Sequence, residues 1–161
     1  MPIFHTQLGL DVTDHDGNKV KLEPKAALLL RGPVFQVTLG IAESIAQQLA
    51  QQGQTVPEPI AGWALLDTGA SSTCIDDAAA QKLKLPVIDK GKISSASHDS
   101  IDVNIYPALI SFTGTPIKVN ILKAMGANLK SQDLIALLGR DMLQNFAVFY
   151  NGVVGQITLS F

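Results

Sequence analysis

The apolar residues of this chain come in short bursts, and that pattern restricts its fold more than any other feature. No run approaches the roughly 18 residues a membrane-spanning helix needs. Most runs stop at strand length, at a glycine, proline, asparagine or aspartate. Val34 to Leu39, with β-branched and aromatic residues at its heart, reads as a strand, and Lys92 to Ala96, Ile101 to Phe112, Ile117 to Leu122 and the apolar Leu134 to Leu138 are further strand candidates. Ala61 to Leu66 is an apolar run of strand length. Phe146 to Tyr150 and Val153 to Phe161 flank Asn151-Gly152, a two-residue hairpin signal. Gln7 to Val12 and Lys19 to Glu23 flank the turn His15 to Asn18 and read as an N-terminal hairpin.

Two segments change period. Ile41, Ile45 and Leu49 recur every four residues among Ala and Gln, which predicts a short amphipathic helix ending at the Gly53 to Pro59 breaker. It reads as a packed surface helix rather than a partner helix. Asp77 to Leu85 reads as a second short helix, started by Asp76 or Asp77 and stopped by Pro86. Gly139 to Asn145 allows one or two further turns. The expectation is an all-β domain of about ten short strands, closed into a small β-barrel with one or two short helices. One domain fits 161 residues, of which 47% are apolar and only 16% charged.

Composition narrows the function. Fourteen acids against twelve bases give a net charge of −2, so no basic footprint points to nucleic acid or an anionic membrane. A lone cysteine, Cys74, excludes a disulfide framework and a Cys-rich zinc site. His5, His15 and His98 are too scattered for a metal cluster, so neither metal nor cofactor is expected. Asp14, Asp16 and Asn18 resemble the start of a calcium loop but lack its downstream bidentate acid, and read as a turn. The N-terminus meets a glycine and an aspartate too early for a signal peptide, so a cytoplasmic domain is expected.

One tripeptide carries chemistry: Asp67-Thr68-Gly69, at the end of the apolar Ala64-Leu65-Leu66 and followed by Ala70-Ser71-Ser72. An aspartate leaving a buried strand is expensive unless it faces a cleft or a partner. By composition alone the tripeptide arises in roughly one chain of this length in fifty, and its plain alternative is an Asx cap at a strand end. Its context separates the two. About seventy residues on, Leu137-Leu138-Gly139-Arg140-Asp141 repeats the pattern of two apolar residues and a glycine, then opens a helix. A polar, small-residue crossing, Ser94 to Ser100, lies between them.

The two motifs, in this order and spacing, resemble those of retropepsin-type aspartic proteases, the single-domain relatives of pepsin. The resemblance covers 33–161 of a single 1–161 domain, with 1–32 as an N-terminal extension or hairpin and 41–59 as an inserted helix and loop. It implies an aspartic endopeptidase acting as a symmetric homodimer. Each subunit would supply Asp67, with Thr68 locking the two loops together and Gly69 allowing close approach. Leu138, Gly139 and Arg140 would support the loop. An extended peptide would lie on Ala70 and Ser71, beneath a flap spanning about Lys92 to Asn104 and touching it through Ser95, Ala96, Ser97 and His98. The alternative on the same scaffold is a dimeric peptide- or protein-binding module with little or no proteolysis.

Departures from the viral pattern are specific. Ser71 stands where retroviral enzymes usually carry an acid that pairs with the arginine of the Gly-Arg segment, leaving Asp76 or Asp77, together with backbone carbonyls near the Asp67 loop or the dimer interface, to hold a partly buried Arg140. Ala70-Ser71-Ser72 is closer to cellular and bacterial relatives. The terminal strand, Val153 to Phe161, is an apolar edge, and strand pairing by terminal segments would glue two copies together, with Pro2 to Leu10 as its candidate mate against the competing hairpin reading of the N-terminus. A Cys74 nucleophile with a His98 base is a weaker reading, because strand-borne cysteines are commonly buried and inert. His98 itself reads as a solvated loop residue before a substrate contact, and Trp63 and Tyr106 as core or rim.

Overall fold

The computed structural model describes residues 3–13, 15–95 and 98–160. In chain order these form β1 (Ile3–Gln7), β2 (Leu10–Thr13), β3 (Lys19–Leu22), α1 (Pro24–Arg31), β4 (Val34–Gly40), α2 (Glu43–Gln51), β5 (Ile60–Leu66), β6 (Cys74–Asp76) and α3 (Asp77–Lys82). There follow β7 (Asp89–Ser95), β8 (His98–Phe112), β9 (Lys118–Ala127), a 3₁₀ turn at Lys130–Gln132, β10 (Ala136–Leu138), α4 (Arg140–Leu143), β11 (Ala147–Asn151) and β12 (Gln156–Ser160). The chain is mostly β, as expected. Among the described residues no helix is long and apolar enough to cross a membrane.

The chain divides into two compact units. The first, residues 1–34 with 143–161, holds the sheet β1-β12-β11 and the separate β2-β3 hairpin. The expected N-terminal hairpin is present, with Leu10 opposite Leu22 and Thr13 opposite Lys19. The expected open edge at the C-terminal strand is not: β12 pairs with β1 on one side and β11 on the other, so its backbone groups are already engaged within the chain. The edges are β1 and β11 instead.

The Asn151-Gly152 hairpin is also longer than two residues. Asn151 pairs with Gln156, and the left-handed position is Gly155 (φ 67°), where a Cβ would lie 2.1 Å from the Pro24 carbonyl carbon. The turn therefore packs on the start of α1, a helix that hydropathy did not reveal. Its signals are punctuation. Pro24 suits the first helical turn, and Gly32 (φ 73°) ends the helix by donating its amide to the Leu28 carbonyl.

The second unit, residues 35–142, is built on a seven-stranded sheet in the order β4-β5-β10-β6-β9-β8-β7, with an additional β4–β8 pairing. Phe35 and Phe112, both about 1% exposed, meet edge to face at 5.7 Å in its core, beside Val37, Leu39, Ile75 and Ile110. Pro107 interrupts β8, and the β8–β9 register shifts between Tyr106 and Ala108, because proline has no N–H for the ladder. The helix expected over 41–52 is α2, which turns Ile45, Ala46 and Leu49 partly inward. Asp76 caps α3, its Oδ1 accepting the Ala79 amide at 3.0 Å.

Candidate active site

β10 is three residues long, yet it places the site. It inserts between β5 and β6, parallel to β5 with Leu138 opposite Leu66. One step beyond that register, Asp67 and Gly139 leave the sheet side by side. The Asp67 amide donates to the Leu138 carbonyl at 3.0 Å, which ties the two motifs together across some seventy residues of sequence.

The loop then folds back on itself. The Ala70 amide donates to the Asp67 carbonyl at 3.3 Å, and the Gly69 amide donates to Asp67 Oδ1 at 2.8 Å. The second bond fixes the carboxylate plane. Among the described residues Oδ2 has no hydrogen-bond partner. Asp67 is half-buried, while Thr68, Gly69 and Ser71 are exposed.

The opposing segment holds the loop through its backbone. Gly139 lies directly against Ser72, and a Cβ on it would sit 2.5 Å from the Ser72 carbonyl carbon and 2.9 Å from its nitrogen. Only glycine allows that approach. The amides of Arg140 and Asp141 donate to the carbonyls of Ala70 and Ser71 at 3.0 and 3.2 Å. The Arg140 guanidinium donates from one nitrogen to the carbonyls of Thr68 (2.7 Å) and Gly69 (2.9 Å).

This meets one half of the expectation for Arg140, the backbone carbonyls near the Asp67 loop, and corrects the other. The residue is exposed rather than partly buried, and among the described residues no acid pairs with it. Both suggested substitutes bond elsewhere. Asp76 accepts the amides of Ala79 and Leu129, and Asp77 accepts the Tyr106 hydroxyl and the Gln81 side chain.

Two residues that sequence reasoning passed over complete the support. Thr73, fully buried, donates its hydroxyl to Asp141 Oδ1 at 2.8 Å and accepts the Gly139 amide at 3.1 Å; its own amide donates to Asp141 Oδ2 at 3.0 Å. Asp141 Oδ1 also accepts its neighbouring Met142 amide. Their signal was an aspartate directly after Gly-Arg and a threonine opening a strand, neither of which points to the other without the fold.

Cys74, half-buried on β6, donates weakly to the Ser72 carbonyl at 3.9 Å. Burial, then the charges of Asp141 and Asp67, push its thiol up from the ordinary range, which weakens the cysteine-nucleophile reading. Of the residues expected in the flap, Ser95 and His98 pair across the β7–β8 hairpin in backbone register. Ala96 and Ser97 lie outside the described residues, as does Asp14 of the calcium-like turn.

A family profile described as "gag-polyprotein putative aspartyl protease" matches residues 61–145, more than half of the chain. No curated protein sequence matches. Among solved structures, a retropepsin-like aspartic protease from Rickettsia conorii aligns with 98% of this chain and 92% of its own, at 14% identity and a TM-score of 0.45. The retroviral protease-like domain of Ddi1 from Leishmania major aligns with 73% of this chain and 81% of its own, at 12% identity and a TM-score of 0.40.

Proposed function

The chain belongs to this family of retropepsin-like aspartic proteases, and from that premise we propose that it is an endopeptidase working as a symmetric homodimer. One observation carries the proposal. Asp67 stands half-buried at the end of an apolar strand, one oxygen fixed by the Gly69 amide and the other without a partner among the described residues, in a loop whose carbonyls and amides are held from beneath. A plain Asx cap needs no such clamp.

The chemistry requires two carboxylates. A lone aspartate has nothing to share a proton with, and Asp67-Thr68-Gly69 occurs once in the sequence. In a homodimer, the Asp67 loops of two protomers meet on the two-fold axis. Carboxylates about 3 Å apart cannot both ionise, so the pair holds one proton and one water. The ionised member takes a proton from the water as it attacks the scissile carbonyl; the protonated member donates to the carbonyl oxygen. Exposed Thr68 is then placed to reach the partner's loop. The β7–β8 hairpin serves as the flap over an extended peptide, and the circuit of pairings from β4 round to β8 as a closed barrel. For the dimer contact, β11 offers a ladder with no second strand on it among the described residues and exposed Val148, Phe149 and Tyr150.

The test is hydrolysis of an unfolded protein at mildly acid pH by wild type and Asp67→Asn. The proposal expects cleavage by the first, none by the second, and the same circular dichroism from both. An Asn variant retaining most of the rate would exclude the aspartic mechanism. A wild type that binds peptides without cutting them would instead indicate the binding-module reading.

A further inference from the structure

The left-handed step of the β11–β12 hairpin falls at Gly155, so the turn does not need Gly152 to be glycine. What Gly152 does supply is an amide nitrogen with no side chain beside it, directly after an asparagine and on an exposed loop.

The loop arranges Asn151 and its neighbours for one reaction. The Val153 amide donates to Asn151 Oδ1 at 3.2 Å, an Asx turn that folds the side-chain amide over the Gly152 peptide. That bond polarises the Cγ carbonyl. Among the described residues neither Asn151 Nδ2 nor the Gly152 amide makes a hydrogen bond, so the attacking nitrogen and the departing one are both unengaged. Gly152 is exposed and Val153 is 81% exposed, so water reaches both. Gln7 Nε2 holds the next turn by donating to the Val154 carbonyl at 3.2 Å.

The other five asparagines differ on each count. All precede a larger side chain. The Leu129 amide, after Asn128, donates to Asp76 Oδ2 at 3.2 Å, and the Phe146 amide, after Asn145, donates to the Leu143 carbonyl at 3.0 Å. Lys19, Ile105 and Ile121, after Asn18, Asn104 and Asn120, lie within paired strands.

We propose that Asn151 is a self-modification site, at which the protein exchanges its side-chain amide for an acid with water as the only co-reactant. The Gly152 nitrogen gives its proton to solvent and bonds to Asn151 Cγ. The Cγ–Nδ2 bond breaks, and Nδ2 leaves as ammonia with a proton from water. The resulting succinimide is opened by water at either carbonyl, giving aspartate or isoaspartate. Residues 142–161 carry no charged side chain, so the product sets the first one there, at the end of β11. In isoaspartate the main chain also runs through Cβ and Cγ, and the added atom displaces the Asn151–Gln156 pairing.

The experiment incubates the folded full-length protein at mildly alkaline pH, digests it, and reads all the asparagines by tandem mass spectrometry, with aspartate and isoaspartate products separated by chromatography. Asn151 should convert at least about tenfold faster than each of the other five and yield both acids. Gly152→Ala places a Cβ against only the exposed Tyr150 ring, at 3.3 Å, and should slow conversion about tenfold by crowding the nitrogen. Asn151→Gln keeps an amide but needs a larger ring, and should stay unmodified; if Gly152→Ala does not fold, this variant decides. Conversion of Asn151 no faster than the other five, aspartate as the sole product, an unchanged rate in Gly152→Ala, or equal conversion of Asn151→Gln overturns the proposal. No peptide substrate enters the assay, so that failure leaves the protease reading standing.

Discussion

Replacing Thr73 by valine should cost about 3 kcal/mol, although the side chain keeps nearly its shape. The hydroxyl is fully buried and works twice, donating to Asp141 Oδ1 and accepting the Gly139 amide. Losing a hydrogen bond to a charged group costs about 1.5–3 kcal/mol, and leaving a buried amide without its acceptor costs about 1–3 kcal/mol. The two share one oxygen, and Asp141 keeps the amides of Thr73 and Met142, so the sum falls short of additive. Urea denaturation reads the effect. At a slope of about 2 kcal/mol/M the midpoint should fall by about 1.5 M with an unchanged slope. Thr73→Ser keeps the hydroxyl and loses one methyl, so it should cost only about 1 kcal/mol. A valine variant within about 0.3 M of wild type, or a serine variant equally damaged, would refute the hub assigned to this hydroxyl.

Gly139→Ala drives a Cβ into the Ser72 backbone, which has no rotamer to yield, so it should destabilise by about 3 kcal/mol or more and be visible as lost expression or a collapsed melting temperature. Arg140→Ala removes exposed contacts to two carbonyls and should cost only about 1 kcal/mol in denaturation, while peptide hydrolysis falls by a larger factor because the Asp67 loop loosens. Cys74 has a thiol pushed up on folding, so its contribution to stability is complete below the unfolded value of about 8.5 and is lost as pH rises through the folded one. Cys74→Ala should flatten stability against pH in that alkaline window, and native Cys74 should alkylate more slowly than the unfolded chain.

What was legible in the sequence was local. Strand-length apolar runs, the turn residues that break them and the caps of short helices are set by neighbours a few residues away, and β4, β5, β8 and α3 appear where those signals place them. The Asp67 and Gly139 motifs were legible for the same reason. What decides the site is not local. Nothing in Ala136-Leu137-Leu138 says that it inserts between β5 and β6, nor that Thr73 then meets Asp141 across 68 residues. The terminal strand was half legible: Pro2 to Leu10 reads as a mate for Val153 to Phe161, and β1 does pair with β12, but nothing local says that this pairing closes within one chain. Helix α1 was missed differently. Leu28-Leu29-Leu30 leaves two leucines exposed, so the helix has little amphipathic signal and is announced by Pro24 and Gly32 alone.

The clamp beneath the loop works by opposite charges aimed at backbone. Arg140 takes carbonyls, its neighbour Asp141 takes an amide, and the acid expected inside the loop is replaced by Ser71. Asp67 is therefore the one charged side chain between Leu65 and Ile75. That arrangement has a consequence for acid–base chemistry that a loop acid would disturb. Ser71→Asp would put a second carboxylate four residues from Asp67, on an exposed loop, within reach of the same guanidinium. As a surface pair with Arg140 it should change stability by at most about 1 kcal/mol. In the proposed homodimer, however, its charge would disfavour ionisation of the Asp67 pair, so the acid limb of the pH–rate profile should move to higher pH. Added salt should shrink the displacement, since the two groups interact through solvent. An acid limb that stays in place at low salt, in a variant that still folds and cuts, would mean that Asp67 does not carry the ionisation that limits the rate.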